Sequence, residues 1–159
     1  MPLPSQKNAR AAIARKSQEE NAERSRLRRK TQNFLDQAKE AHDKEDYATA
    51  IKLLQQAVDV DPEDTDSCYG SLRPYVYYSL ACDYSCSGNI EAGIRWLTRA
   101  VRVGYGVGPI NLRHREWARK DPDLAKLRED SRFEPTLTGK TQPKKPSKTQ
   151  VFFKIFGCS

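Results

Sequence analysis

YATAIKLLQQAV at residues 47–58 and IEAGIRWLTRAV at residues 90–101 carry one pattern twice. Tyr47, Ala50, Leu54 and Ala57 are matched by Ile90, Gly93, Leu97 and Ala100, each 43 positions later. Apolar residues spaced by three and four mark an amphipathic helix. Two such helices at one fixed offset mark a repeated structural unit. A single unit cannot bury its apolar face alone, so copies stack side by side and leave an extended groove. The first expectation is therefore a binding module.

Upstream of the first copy, Phe34, Leu35, Ala38, Ala41 and His42 fall on one face of a helix that begins near Thr31. The polar run 43–46 is its turn, and Pro62 ends the helix that follows because it cannot continue one. These two helices make one hairpin. A connector over about 63–73 precedes Pro74, which is placed to open a helix over 75–86. Residues 87–89 form the next turn, with Gly88 suited to a left-handed cap, and a fourth helix over 90–103 is stopped by Gly104, Gly106, Gly108 and Pro109. Asp121 and Pro122 read as the cap and first residue of a short helix holding Leu124 and Leu127, predicted to cover the exposed end of the stack.

The ends differ from this body. Residues 9–30 favour helix, yet their only apolar side chains are alanines, Ile13 and Leu27. Such a segment is either an exposed helix or an arm that orders on a partner. Beyond Thr138 the composition is that of a linker, followed by VFFKIFGCS. The expected organisation is a basic arm over 1–31, a helical domain over 32–137, and a basic linker with an apolar tail over 138–159.

Charge follows the same division. Residues 1–31 hold 9 Lys/Arg and 3 Asp/Glu, residues 32–139 hold 14 and 18, and residues 140–159 hold 5 and 0. Basic arms thus flank an acidic body, and Arg24, Arg26, Arg28, Arg29, Lys30, Lys144, Lys145 and Lys148 are the candidate contacts to phosphate or lipid. No apolar run reaches the length of a secretion signal or a membrane span, and the four cysteines lack the spacing of a disulfide framework. The expectation is an intracellular, cytoplasmic protein with reduced thiols; RSRLRRK at 24–30 also fits a nuclear localisation signal.

The residues quoted so far resemble the tetratricopeptide repeat, a helix–turn–helix unit of about 34 residues. Ala38, Tyr47, Ala50, Leu54, Ala57 and Pro62 fill its signature positions in the first copy; Leu80, Ala81, Tyr84, Gly88, Gly93, Leu97 and Ala100 fill them in the second. The small residues Ala38, Ala50, Ala81 and Gly93 suit the close approach of paired helices. The offset of 43 exceeds the family period by about 9 residues, an excess assigned to the 63–73 connector. LACDYSCSG, AVRVGY and DPDLAKLREDSRF also resemble the end-of-group form that closes a run of repeats, although Ser131 stands where that form often has Pro and 113–120 lengthens the approach. The resemblance implies an all-α fold, a short solenoid of two repeats plus a capping helix. About three repeats are usually needed for stability, so the closing segment or self-association must supply contacts.

For function, the resemblance places groove positions at Leu35, Lys39, His42, Tyr75, Tyr78, Ser79, Cys82 and Cys86. The paired Asn residues of the family's chaperone-binding clamp are missing. Tyr75 and Tyr78 suit a peptide with apolar anchors instead. Cys82 and Cys86, four apart, share a helical face, but two ligands do not close a metal site, and nothing in the spacing requires His42 or His114 to converge on them. Cys82 reads as a small packing residue, with no metal or cofactor expected. GKT at 139–141 has Glu134 where a phosphate-binding loop needs Gly, and no nucleophile, base or paired carboxylates stand in a fixed arrangement, so no enzyme is expected. The expected activity is that of an adaptor or scaffold binding a protein segment. The alternatives are nucleic acid on the basic arms, or an anionic membrane at the tail, where Lys residues precede Val151, Phe152, Phe153, Ile155 and Phe156 and Cys158 offers an acylation site.

Overall fold

A computed structural model describes residues 6–60, 72–104 and 112–140, and every regular element among them is helical. The 63–73 connector, all but the first residue of the glycine-rich stretch, and the tail with Lys144, Lys145, Lys148 and Cys158 lie wholly or almost wholly outside the described residues.

Helix α1 spans Gln6–Asp43 and is followed by α2, Tyr47–Val60. At 38 residues α1 is about 57 Å long. It crosses the expected boundary at residue 31 without a break. Its described side chains up to Arg26 are exposed, and packing begins at Phe34, Leu35, Ala38 and Ala41. The helix therefore has two parts, a solvated basic shaft and a short packed end.

Helix α3 spans Arg73–Cys86, with Pro74 in its first turn, and α4 spans Ile90–Arg102. Each helix packs on the next, α1 on α2, α2 on α3 and α3 on α4. Helix α3 lies in the middle and buries Val76, Tyr77, Tyr78, Leu80, Ala81, Cys82, Asp83 and Ser85. A helix covered on several sides has no single apolar stripe. Helix α4 is one-sided, with Ala92, Gly93, Ile94, Leu97, Ala100 and Val101 buried.

The two hairpin turns share one construction. In the first, Asp46 N donates to Ala41 O at 2.9 Å and Glu45 N to His42 O at 2.7 Å, with Glu45 at φ 59°. In the second, Asn89 N donates to Tyr84 O at 2.8 Å and Gly88 N to Ser85 O at 3.0 Å, with Gly88 at φ 85°. Both are Schellman closures with a left-handed residue after the helix. The next residue then caps the following helix. Asp46 Oδ1 accepts from Thr49 N and Asn89 Oδ1 from Ala92 N, both at 3.1 Å. Every participant in one turn has its counterpart 43 residues on.

The closing segment is more elaborate than the single short helix expected. Helix α5, Leu112–Lys120, leads into a 3₁₀ turn at Pro122–Leu124, then α6, Ala125–Arg128, and α7, Phe133–Leu137. Asp121 caps the 3₁₀ turn, accepting from Asp123 N at 3.0 Å. The turn and α6 pack on α3, and α6 and α7 pack on α4. They bury Leu124, Leu127, Phe133 and Leu137. Arg132 ties the segment to Glu91 of α4 at 2.7 Å. Gly139, at φ 70°, ends α7 in another left-handed cap.

Candidate functional site

The end of α1, the middle of α3 and the start of the closing segment enclose a cavity of about 320 Å³. Of the groove residues expected from the sequence, Leu35, Lys39, His42, Tyr78, Ser79 and Cys82 line it. Two do not. Tyr75 stands half exposed with its ring edge-on to His114 at 6.4 Å, and Cys86 Sγ lies 3.6 Å from Asp123 O, so the two thiols of α3 do not face one space. The four-residue spacing put Cys82 and Cys86 on one side of the helix. The closing segment then divides that side.

The cavity wall also contains Asp83, Trp117, Asp121 and Asp123, which the sequence reading did not select. Asp121 is the junction. Its Oδ2 accepts from Tyr78 Oη at 2.6 Å and from Trp117 Nε1 at 3.0 Å, and its carbonyl accepts from Arg128. One carboxylate thereby fixes α3, α5 and the 3₁₀ turn together. The DP pair did signal a helix cap, but its side-chain partners come from residues 43 and 4 positions away, beyond any local pattern.

His42 lies between two carboxylates. Nδ1 is 2.6 Å from Asp83 Oδ1, and Nε2 is 3.3 Å from Asp123 Oδ2. Burial works against charge on the ring, but the carboxylates of Asp83, Asp123 and Asp43 outweigh it and raise the His42 pKa above its ordinary value. Asp83 is nearly inaccessible, and burial pushes its pKa up to about 6 against the pull of the imidazole. Lys39 pairs with Asp43 at 2.8 Å on the rim. Burial, followed by the charges of Asp121, Asp123 and Asp83, drives the Cys82 thiol well above its ordinary range, so it holds its proton.

The expected phosphate contacts present on the structure lie elsewhere. Arg24, Arg26, Arg28, Arg29 and Lys30 are exposed on the shaft of α1, and a shallow surface depression runs past Arg26, Arg28, Arg29 and Lys30. Arg26 is already paired with Glu23 at 2.7 Å. In comparisons with known proteins, no family model, curated protein or solved structure matches this chain. Among the described residues no helix is long and apolar enough to cross a membrane.

Proposed function

We propose that the chain is a non-catalytic adaptor of tetratricopeptide type that holds a segment of a partner protein in the cavity between α1, α3 and the closing segment. The observation that carries this reading is that six groove residues separated by as many as 47 positions line one open cavity. Its mouth offers Leu35, half buried, and Trp117, exposed, as apolar surface, with Lys39 and Ser79 as polar contacts. An extended or helical segment with an apolar anchor fits that mixture. The rigid junction at Asp121 supports it, because a preformed groove spends little free energy on ordering itself.

A displayed random-peptide library panned against the full chain tests the reading. Related peptides should be enriched, and their binding should be lost on Ser79→Trp, which fills the cavity, and weakened on Lys39→Glu, with helicity unchanged by circular dichroism. No enrichment, or peptides that bind Ser79→Trp equally well, would reject it.

A second reading has its own observation, the solvated basic shaft of α1. It predicts that generic RNA binds at low salt, that affinity falls steeply as salt rises, and that Arg29→Glu with Lys30→Glu reduces the slope by about 2. RNA binding that ignores salt would remove it.

A further inference from the structure

We infer that the floor of this cavity is a site for one borderline divalent metal ion of the zinc(II) class, held by His42, Cys82, Asp121 and Asp123. The inference is independent of whether a peptide binds above it.

Donor geometry comes first. One ligand atom each from Cys82, Asp121 and Asp123 lies within 4.8 Å of the other two. A tetrahedral ion with bonds of about 2.0–2.3 Å sets neighbouring donors roughly 3.3–3.8 Å apart. Bringing these three donors onto one ion therefore takes side-chain shifts of up to about 1.5 Å per pair, and His42, which lies outside that group, must move further to join them. His42 Nε2 is already 3.3 Å from Asp123 Oδ2, the spacing of two donors on one ion.

The surroundings also match what a metal site requires. A ligating imidazole usually gives its other nitrogen to a carboxylate, which fixes the ring and its tautomer. Asp83 takes His42 Nδ1 at 2.6 Å, directing Nε2 toward Asp123. Asp121 is held by Tyr78, Trp117 and the Asp123 amide, and ligating carboxylates are held in the same way. The Cys82 thiol is buried, 6% exposed, lines the cavity and has no hydrogen bond to any other described residue. A soft sulfur, an imidazole and two carboxylates from three separate elements favour zinc over magnesium or calcium, which take oxygen donors alone.

Binding is a proton exchange. The ion displaces the Cys82 thiol proton, together with the Nε2 proton in the fraction of molecules whose His42 ring is charged, and these leave to solvent while the metal–sulfur and metal–nitrogen bonds form. No electrons are transferred. The donor set then carries three negative charges against the two positive charges of the ion.

Cobalt(II) reports the sulfur bond directly. The full chain carrying Cys68→Ser, Cys86→Ser and Cys158→Ser keeps Cys82 as its one thiol. Titration should give one equivalent bound, with a near-ultraviolet thiolate-to-cobalt band that zinc abolishes by competition. In the otherwise unchanged chain, Cys82→Ser should remove that band. Asp83→Asn, which touches no metal, should weaken cobalt binding roughly 10–100-fold. Far-ultraviolet circular dichroism checks each variant, and a triple variant that fails to fold is replaced by the comparison of wild type with Cys82→Ser. Absence of the band in the wild type, or its survival at the same affinity in Cys82→Ser, overturns the inference.

Discussion

Gly93 in α4 lies so close to Leu127 in α6 that a Cβ on it would stand 2.7 Å from Leu127 Cδ2 and 3.1 Å from Cδ1. The next neighbour, Ala81 O of α3, is at an ordinary 3.4 Å. The position is small chiefly for the closing segment and only secondarily for the helix pair. Leu127 is fully buried, so any shift that makes room must be taken up within packed surroundings. Overpacking costs roughly 1–3 kcal/mol, and replacing a helical Gly by Ala returns about 1 kcal/mol. Gly93→Ala should therefore destabilise the chain by about 1 kcal/mol in urea denaturation. Placed on Leu127→Ala, the same change should stabilise, because only the propensity gain is left. Equal effects in both backgrounds would show that the two residues are not in contact.

Glu45 occupies a left-handed position that its counterpart Gly88 fills without a side chain. A left-handed L-residue costs roughly 1–2 kcal/mol, while Gly adds about 0.5–1 kcal/mol of chain entropy to the unfolded state. Glu45→Gly should raise stability by about 0.5–1 kcal/mol, seen as a higher urea midpoint with an unchanged slope. Gly88→Ala should lower it by a similar amount. Its nearest atom is Lys126 Nζ at 3.9 Å, so backbone conformation alone sets that loss.

Both turns were legible in the sequence because each is local. The polar run 43–46 and the 87–89 turn with Gly88 stand beside the helices they join, while the capping roles of Asp46 and Asn89 emerge only in the structure. The four main helices were legible from apolar spacing, including α3, where Pro74 and the following turn fixed the ends despite its poor amphipathicity. Helix α5 was not. LRHREWARK has almost no apolar face, and Ala118 is its one fully buried side chain among those described. The cavity-lining residues Leu35, Lys39, His42, Tyr78, Ser79 and Cys82 of α1 and α3 were accessible from the sequence pattern. Trp117, Asp121 and Asp123 were not, because only packing of the closing segment brings them to the same cavity, and Asp83 was not, because a carboxylate buried in α3 against His42 runs against the apolar pattern by which inward positions are read.

Tyr78 carries both the groove wall and the Asp121 junction, and the two roles separate in one substitution. Tyr78→Phe keeps the ring in place and removes the 2.6 Å bond to Asp121 Oδ2. A buried hydrogen bond to a carboxylate contributes about 1.5–3 kcal/mol, and that loss is expected in denaturation. On Asp121→Ala, where the acceptor is gone, the same change should cost little. A full-sized loss in that background would mean the hydroxyl serves another partner.

Arg132 grips Asp130 with its side chain and its backbone while reaching Glu91 of α4. Nε lies 2.9 Å from Asp130 Oδ1, Nη2 2.8 Å from Oδ2, and the amide N 2.9 Å from Oδ1. The side-chain bond first, then the backbone bond, hold the Asp130 pKa at about 2. In the unfolded chain the value is about 3.9. Because the folded pKa is the lower one, the stabilisation is complete above the unfolded value and is lost as pH falls toward about 2. A carboxyl-carbon titration by nuclear magnetic resonance should place Asp130 near 2 in the wild type and return it toward the ordinary Asp range in Arg132→Ala. The part of the stability difference between the two proteins that comes from this ionisation should be constant near neutrality, shrink below about pH 4 and disappear near pH 2. An ordinary Asp130 titration in the wild type would mean that the grip of Arg132 on Asp130 is open in solution.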